Sequence, residues 1–419
     1  MISVTEATRI IQSNLFKPKK EVVKLERATG RIVAESIFAD RDFPPFNRAT
    51  MDGIAIDANA LFREDTNQGS NQDAKQGNRA SFMIEGTQAA GQPASTLSNN
   101  QNCFEIMTGA MLPNGTNAVV RYEDVEIENG VASLKISTVN EGDNIHFKGM
   151  DASENSVLIE VGTKLSPAEI ALLASVGKTS VAVFSYPTIA IISTGDELVS
   201  IDRKPLPHQI RTSNSHAIQS ALIEMGCHST LFHLTDNEEI LKTELDKIAS
   251  DFDVIILSGG VSKGKFDFVP AVMESLGIKK MFHQVSQKPG KPMWFGHSPL
   301  PRRESGDETD VFVFALPGNP VSTFMCFHRY VKPWLLKSWG VVTENQQAFL
   351  ASDFSFKPAL TYFLQVKVKN EAGKLMAYPV AGGGSGDFVN LKEVNGFLEL
   401  PAERNEFKAG EVFLLIRFK

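Results

Sequence analysis

Residues Ser258 to Phe268, SGGVSKGKFDF, pack three glycines, two lysines and an aspartate behind the apolar run DVIIL. Exposed backbone N–H groups and lysine both favour phosphate. A carboxylate beside a phosphate suits Mg2+, which takes a few carboxylates plus phosphate and water. The alternative is a plain strand-to-helix turn with solvated charges. Two more apolar runs end in unusual loops. IAIISTGDELV closes on Thr194, Gly195, Asp196 and Glu197, and FALPGNPVS on Pro317, Gly318, Asn319, Pro320 and Ser322. A fourth segment, QKPGKPMWFG, brings Lys288 and Lys291 around a Pro-Gly turn. Donors for anionic oxygens, together with carboxylates for a divalent ion, point to a metal-assisted reaction at a phosphate.

Each piece also has a plainer reading. Asp196 and Glu197 suit the first turn of a helix, where the macrodipole favours acids. Asp236 in TDNEEIL makes a good N-cap, with Glu239 three residues on. Ser322 can simply begin the helix after its proline, and Lys288 and Lys291 can form a solvated basic face. The 8 histidines show no metal-type spacing and read as structural or surface residues. No serine has a matching His/Asp pair, which argues against a catalytic triad.

These loops need a scaffold that gathers them. From residue 188 onward strands alternate with helices: TIAIIS, STLFHL, DVIIL and VFVFAL as strands, and NSHAIQSALIEMG, DNEEILKTELDKIAS, DFVPAVMESLG and VSTFMCFHRYVKPWLL as helices. Apolar strands in this rhythm predict a parallel sheet covered on both faces, with ligands at the C-terminal strand ends. One such sheet lines up all of the loops along one edge. The N-terminal segment MISVTEATRIIQSNL reads as a helix with a Ser3/Glu6 capping box, and LSPAEIALLASVG (165–177) as a helix capped by Ser166 and Glu169 and ended by Gly177. Residues 46–151 and 341–419 carry short β-like runs between turn residues, the second predicting a small β-barrel. Residues 63–80 are polar and read as a solvated loop.

The chain of 419 residues has room for two to four domains. Its net charge of −7 argues against a bulk nucleic-acid binder, and the aromatics form no stacking platform for nucleic acid. Three scattered cysteines suggest reduced thiols. No apolar run approaches the roughly 20 residues of a membrane span. The expectation is a cytoplasmic protein bound to neither membrane nor nucleic acid.

Taken together and in order, ATMDGIAI (49–56), IMTGAMLPNGTNAVV (106–120), ISTGDEL (192–198), LSGGVSKGKFDF (257–268), KPGKP (288–292), LPGNPVS (316–322) and GGGSGDF (382–388) resemble the molybdopterin molybdenumtransferase family, related to the E domain of gephyrin. The resemblance covers nearly the whole chain. It implies an α/β multidomain subunit. Residues 1–20 plus 186–340 would form the molybdopterin-binding α/β domain with its parallel sheet. Residues 21–45 plus 152–185 would form a linking domain, 46–151 a β-rich lobe and 341–419 a C-terminal β-barrel. It implies a homodimer in which the lobe of one subunit faces the α/β and C-terminal domains of the other.

The implied reaction inserts molybdate into adenylylated molybdopterin, releasing AMP, with Mg2+ assisting. By the same resemblance Glu197, Asp236 and Asp267 are the acidic, metal-binding positions, and Lys288 and Lys291 the lysines of an anion pocket. Ser322 lies near the molybdate site. Thr194, Gly195, Asp196, Ser258, Gly259, Gly260, Ser262, Pro317, Gly318 and Asn319 belong to the binding loops. Asp52, Thr108 and Asp151 act from the lobe. A molybdopterin adenylyltransferase and molybdoenzymes become candidate partners. The chain departs from the family pattern at Ile54, usually Tyr, at Arg211, commonly acidic, and at Asn237, the second of an Asp-Asp pair. Gln284 stands where some members carry a base, and the usual Arg pair before Asp151 is missing. The alternatives are a non-catalytic binding or scaffold protein on the same fold, and a nucleotide pyrophosphatase.

Overall fold

The strands Ile189–Thr194, Val254–Ser258 and Glu308–Leu316 are apolar on both sides, so each face must be covered. The structure, a computed structural model, describes residues 1–62, 80–261, 268–302 and 306–419. The stretch read as a solvated loop falls outside these residues except for Ala80. The chain divides into two compact units. One comprises Met1–Glu35, Val161–Ala171 and Lys178–Lys419, the other Ser36–Glu160 and Leu172–Gly177.

In the first unit a six-stranded sheet runs in the order Ser229–Leu234, Ile189–Thr194, Val254–Ser258, Glu308–Leu316, Trp294–Pro301, Lys279–His283. The first four strands are parallel, as the rhythm predicts. The last two, which the sequence reading did not assign, are antiparallel, so the sheet is mixed. The two prolines and the glycine in WFGHSPLP hide that strand from a pattern reading. Alternation decides which face each residue serves. Ile189, Ile191, Val254, Ile256, Phe312 and Phe314 join one core, while Ala190, Ile192, Ile255, Leu257, Val311 and Val313 join the other. Val4, Ala7 and Ile11 of the helix Val4–Ser13 pack into the first of these.

Several local readings are corrected. Ser3 caps its helix through the Glu6 amide, but the Glu6 side chain pairs with Arg9 rather than closing a box. Ser166 and Glu169 do make the reciprocal cap. The helix expected from Val321 onward is three pieces: Pro320–Cys326, a π-turn Phe327–Val331 and Lys332–Ser338. Pro333 has no N–H for the regular ladder and its ring crowds the preceding turn, which accounts for the widening.

Also in the first unit, Thr361–Glu371, Lys374–Pro379, Gln347–Leu350, Val412–Arg417 and Gly396–Leu400 form a ring that closes when the last pairs with the first. This is a five-stranded barrel filled by Val366, Leu398, Leu400 and Leu415. In the second unit, six strands run in the order Ala118–Arg121, Gly53–Ile56, Asn102–Ile106, Ser81–Gln88, Val131–Leu134, Val125–Glu128. Among the described residues no helix is long and apolar enough to cross a membrane. The three cysteines are buried free thiols.

Candidate functional site

The register of the parallel strands sets the site. Ser193 lies opposite Ser258, Ser258 opposite Leu316, and Thr194 opposite Leu234. The loops that follow therefore leave from one edge, as the sequence predicts. They enclose a cleft of about 540 Å³ lined by Thr194, Gly195, Glu197, Asp236, Ser258, Gly259, Gly260, Pro317, Gly318 and Asn319. Ser262, Asp267 and the lysines Lys263 and Lys265 lie outside the described residues, so their expected roles carry no geometry.

Gly259 has φ +105°, and a Cβ there would stand 2.8 Å from the Thr194 carbonyl oxygen. Only glycine brings the two loops this close. Gly195 is similar: a Cβ would meet the Glu197 carboxylate at 2.5 Å, so that carboxylate folds over the loop. No helix follows Glu197; the chain enters the short strand Leu198–Val199, which removes the helix first-turn reading of Asp196 and Glu197. The cap of the helix Glu238–Asp251 is Asn237, whose side chain accepts from the amides of Glu239 and Ile240 at 3.1 Å. The N-cap reading of Asp236 is thereby overturned, and the Asn237 departure has a structural use. Asp236 lines the cleft, and its amide donates to Asp196 Oδ1 at 3.2 Å. Among the described residues no group of three or more His, Cys, Asp or Glu is placed to hold a metal ion. Glu197 and Asp236 at one cleft still fit Mg2+, which needs only one or two carboxylates beside phosphate and water.

A second pocket of about 310 Å³ adjoins the first and shares Pro292, Pro317 and Asn319 with it. Lys288, Lys291 and the buried Ser322 line it, with Gly382, Gly384 and Ser385 from the GGGSGDF loop. Among the described residues neither lysine has a carboxylate partner; Lys288 Nζ lies 5.7 Å from the Phe356 ring centroid. Charge left unneutralised in a pocket is available to an anion. Asn319 Nδ2 donates to Ser385 Oγ at 2.9 Å and ties the two loops together.

The sequence reading missed the residues beneath the loops. Gln287 is fully buried, and its Nε2 donates to the Gly290 carbonyl at 2.9 Å while its Oε1 accepts from the Tyr330 hydroxyl. It thus fixes the turn that carries both lysines. Asn214 was seen only as part of a helix start, yet its Nδ2 reaches Ser258 Oγ at 2.9 Å and the Gly318 carbonyl at 2.7 Å. Arg211 also lines the first cleft, its Nε held by the Arg203 carbonyl at 3.0 Å.

In the second unit, Thr108 donates to Asp52 Oδ1 from both its hydroxyl and its amide, each at 2.6 Å. Those two bonds, the hydroxyl foremost, hold the Asp52 carboxyl below its ordinary range. Asp151 is bonded instead to His146 Nε2 at 2.9 Å, whose other nitrogen meets Arg48 at 3.1 Å. The expected Asp52 and Thr108 are therefore one hydrogen-bonded pair, and Asp151 belongs to a separate chain of contacts.

Residues 2–177 match the MoeA N-terminal region (domain I and II), 190–337 a probable molybdopterin binding domain and 347–418 the MoeA C-terminal region (domain IV). The molybdopterin molybdenumtransferase of Synechocystis sp. is 39% identical over 99% of each chain. That of Bacillus subtilis is 32% identical over 99% of this chain and 94% of its own. Among solved structures, a molybdopterin biosynthesis MoeA protein from Pyrococcus horikoshii superimposes with a TM-score of 0.78 at 31% identity, covering 100% of this chain and 99% of its own. The chain belongs to the MoeA family of molybdopterin molybdenumtransferases.

Proposed function

We propose that this protein inserts molybdate into adenylylated molybdopterin, releasing AMP and forming molybdenum cofactor. The observation that carries the reading is the pair of adjoining pockets. One presents backbone donors, the Ser258 hydroxyl and two carboxylates; the other presents two lysines that have no carboxylate partner among the described residues. Phosphate groups suit the first and the molybdate dianion suits the second. Shared walls at Pro317 and Asn319 bring the two substrates within reacting distance, which is the entropic part of catalysis. Lys288 and Lys291 neutralise the oxyanion, and the amides at Gly260 and Val261 orient the phosphates. Glu197 and Asp236 would hold Mg2+, with Asp267 as the third acid of the reading; when bound, the ion supplies charge neutralisation at the phosphoanhydride.

The same reading includes the four-part domain division and a cytoplasmic location. It also includes a homodimer in which Asp52, Thr108 and Asp151 serve the cleft of a second copy. The decisive assay supplies adenylylated molybdopterin and Mg2+ to the purified protein, with and without molybdate. AMP release that requires both ions is expected; pterin binding without release would move the non-catalytic alternative to first place. Mixing Asp52→Asn chains with Glu197→Gln chains tests the shared site. Each alone is expected to be impaired and the mixture to recover part of the activity, because a mixed dimer keeps one intact site. No recovery in a mixture shown to exchange subunits removes the shared cleft.

A further inference from the structure

A strand-end loop offers carbonyl acceptors as well as N–H donors, and a phosphate site is served by the second and opposed by the first. Around the first cleft the carbonyls are occupied from beneath. Asn214 Nδ2 takes the Gly318 carbonyl at 2.7 Å and Ser258 Oγ at 2.9 Å, with Thr323 Oγ1 at 3.3 Å. The Thr323 hydroxyl donates to the Pro317 carbonyl and faces that of Asn319 at 3.1 Å. His233 Nε2 meets the Gly195 carbonyl at 3.0 Å, and His283 Nε2 the Val261 carbonyl at 2.9 Å. A carbonyl can only accept, so both imidazoles carry a proton on Nε2. Five loop carbonyls are thus spoken for. The backbone N–H groups of Gly260, Val261, Gly318 and Asn319, by contrast, have no acceptor among the described residues.

We infer that Asn214 is a positioning residue that makes this cleft an anion cradle, by occupying the Gly318 carbonyl and directing the Ser258 hydroxyl proton toward a bound phosphate oxygen. The second effect follows from proton counting. Ser258 Oγ accepts from Asn214, so its single proton remains for another acceptor. Ser258 is itself buried and lines the cleft. The helix Asn214–Glu224 draws no side-chain cap from Ser213, so its first residue is committed to the loops rather than to the helix. The inference rests on reading this cleft as the phosphate site.

Asn214→Asp keeps the shape and replaces the donor with a charged acceptor. The carboxylate opposes the Gly318 carbonyl and draws the Ser258 proton inward. Thr323→Val is the milder partner, freeing the Pro317 carbonyl while the Asn319 carbonyl keeps the Thr323 amide at 2.9 Å, and it carries the test if Asn214→Asp fails to fold. Inorganic pyrophosphate is the probe, titrated calorimetrically into the full chain, with AMP release and melting temperature measured in parallel. Asn214→Asp is expected to weaken pyrophosphate binding about tenfold or more, and to raise the KM for adenylylated molybdopterin in proportion, with a smaller effect on kcat. Thr323→Val shifts both in the same direction. Ser258→Ala weakens binding in the wild-type background and changes little in Asn214→Asp, which a purely structural role of Asn214 does not produce. Unchanged pyrophosphate affinity in the folded variants overturns the inference and leaves the phosphate cleft standing. A wild-type chain that binds no pyrophosphate overturns the phosphate cleft, and the inference with it.

Discussion

At the scale of single residues, charge and its partners decide what a side chain is available for. Lys288 and Lys291 are exposed and lack carboxylate partners among the described residues, whereas Arg329 is half-buried against Glu399 at 2.7 Å and serves the fold. Removing either lysine should therefore cost ligand rather than stability. We expect Lys288→Ala and Lys291→Ala each to raise the molybdate concentration for half-maximal AMP release about tenfold, with little change in melting temperature. A melting temperature that falls while the molybdate requirement stays fixed would reassign them to the scaffold. Asp52 shows the complementary logic. Its two bonds from Thr108 stabilise the ionised form, so the carboxylate stays charged as pH falls below the ordinary value of 3.8. Thr108→Val is expected to move its titration upward, read by NMR of the carboxyl carbon.

At the scale of elements, two neighbouring residues, an aspartate and an asparagine, have been given different tasks by one residue of register. Asn237 caps the helix Glu238–Asp251 and Asp236 faces the cleft. Asn237→Ala removes a cap that satisfies two amides and should cost about 1 kcal/mol, seen as a lower denaturation midpoint with AMP release per folded molecule retained. Asp236→Asn should instead reduce AMP release. If Asn237→Ala abolishes turnover in the folded protein, the division of labour is wrong. The turn carrying the two lysines is likewise supported from below, by the buried Gln287 and its bonds to Gly290 and Tyr330. A hydrophobic replacement there leaves the buried Tyr330 hydroxyl without its acceptor and the Gly290 carbonyl with only the Cys326 thiol at 4.0 Å.

Stability is a property of the whole molecule, and one buried group gives it a pH dependence. His328 sits in the π-turn between Phe324, Phe327 and Phe418, with neither ring nitrogen hydrogen-bonded among the described residues. Burial, with Lys332 adding to it, pushes its pKa down to about 3. The folded state then refuses a proton that the unfolded state takes near the ordinary value of 6.5. Its neutral form costs nothing extra above that value, and stability is lost progressively as pH falls from about 6.5 toward about 3. His328→Phe should flatten that slope in chemical denaturation between pH 7 and 4.5; an unchanged slope would mean the imidazole is hydrated in solution.

Much was legible in the sequence because it is carried by local chemistry. Apolar runs of strand length, proline and glycine punctuation and Ser166/Glu169 capping are written in adjacent residues. Their order predicts parallel strands whose loops share an edge. The loops around Glu197, Ser258 and Asn319 could be named before any coordinates, since each follows an apolar run of strand length with glycine and polar residues, though each also had a plainer reading. What the sequence left open depended on partners far along the chain. Asp236 reads as the cap from the sequence, and only the helix start gives that place to Asn237. Asn214 and Gln287 looked ordinary because their importance lies in whose carbonyls they meet, 104 residues away for Asn214 and Gly318. A hydrogen bond of that separation has no periodicity to betray it. Only the packed sheet, by fixing which strand ends are neighbours, decides which donors face the ligand and which are spent inside.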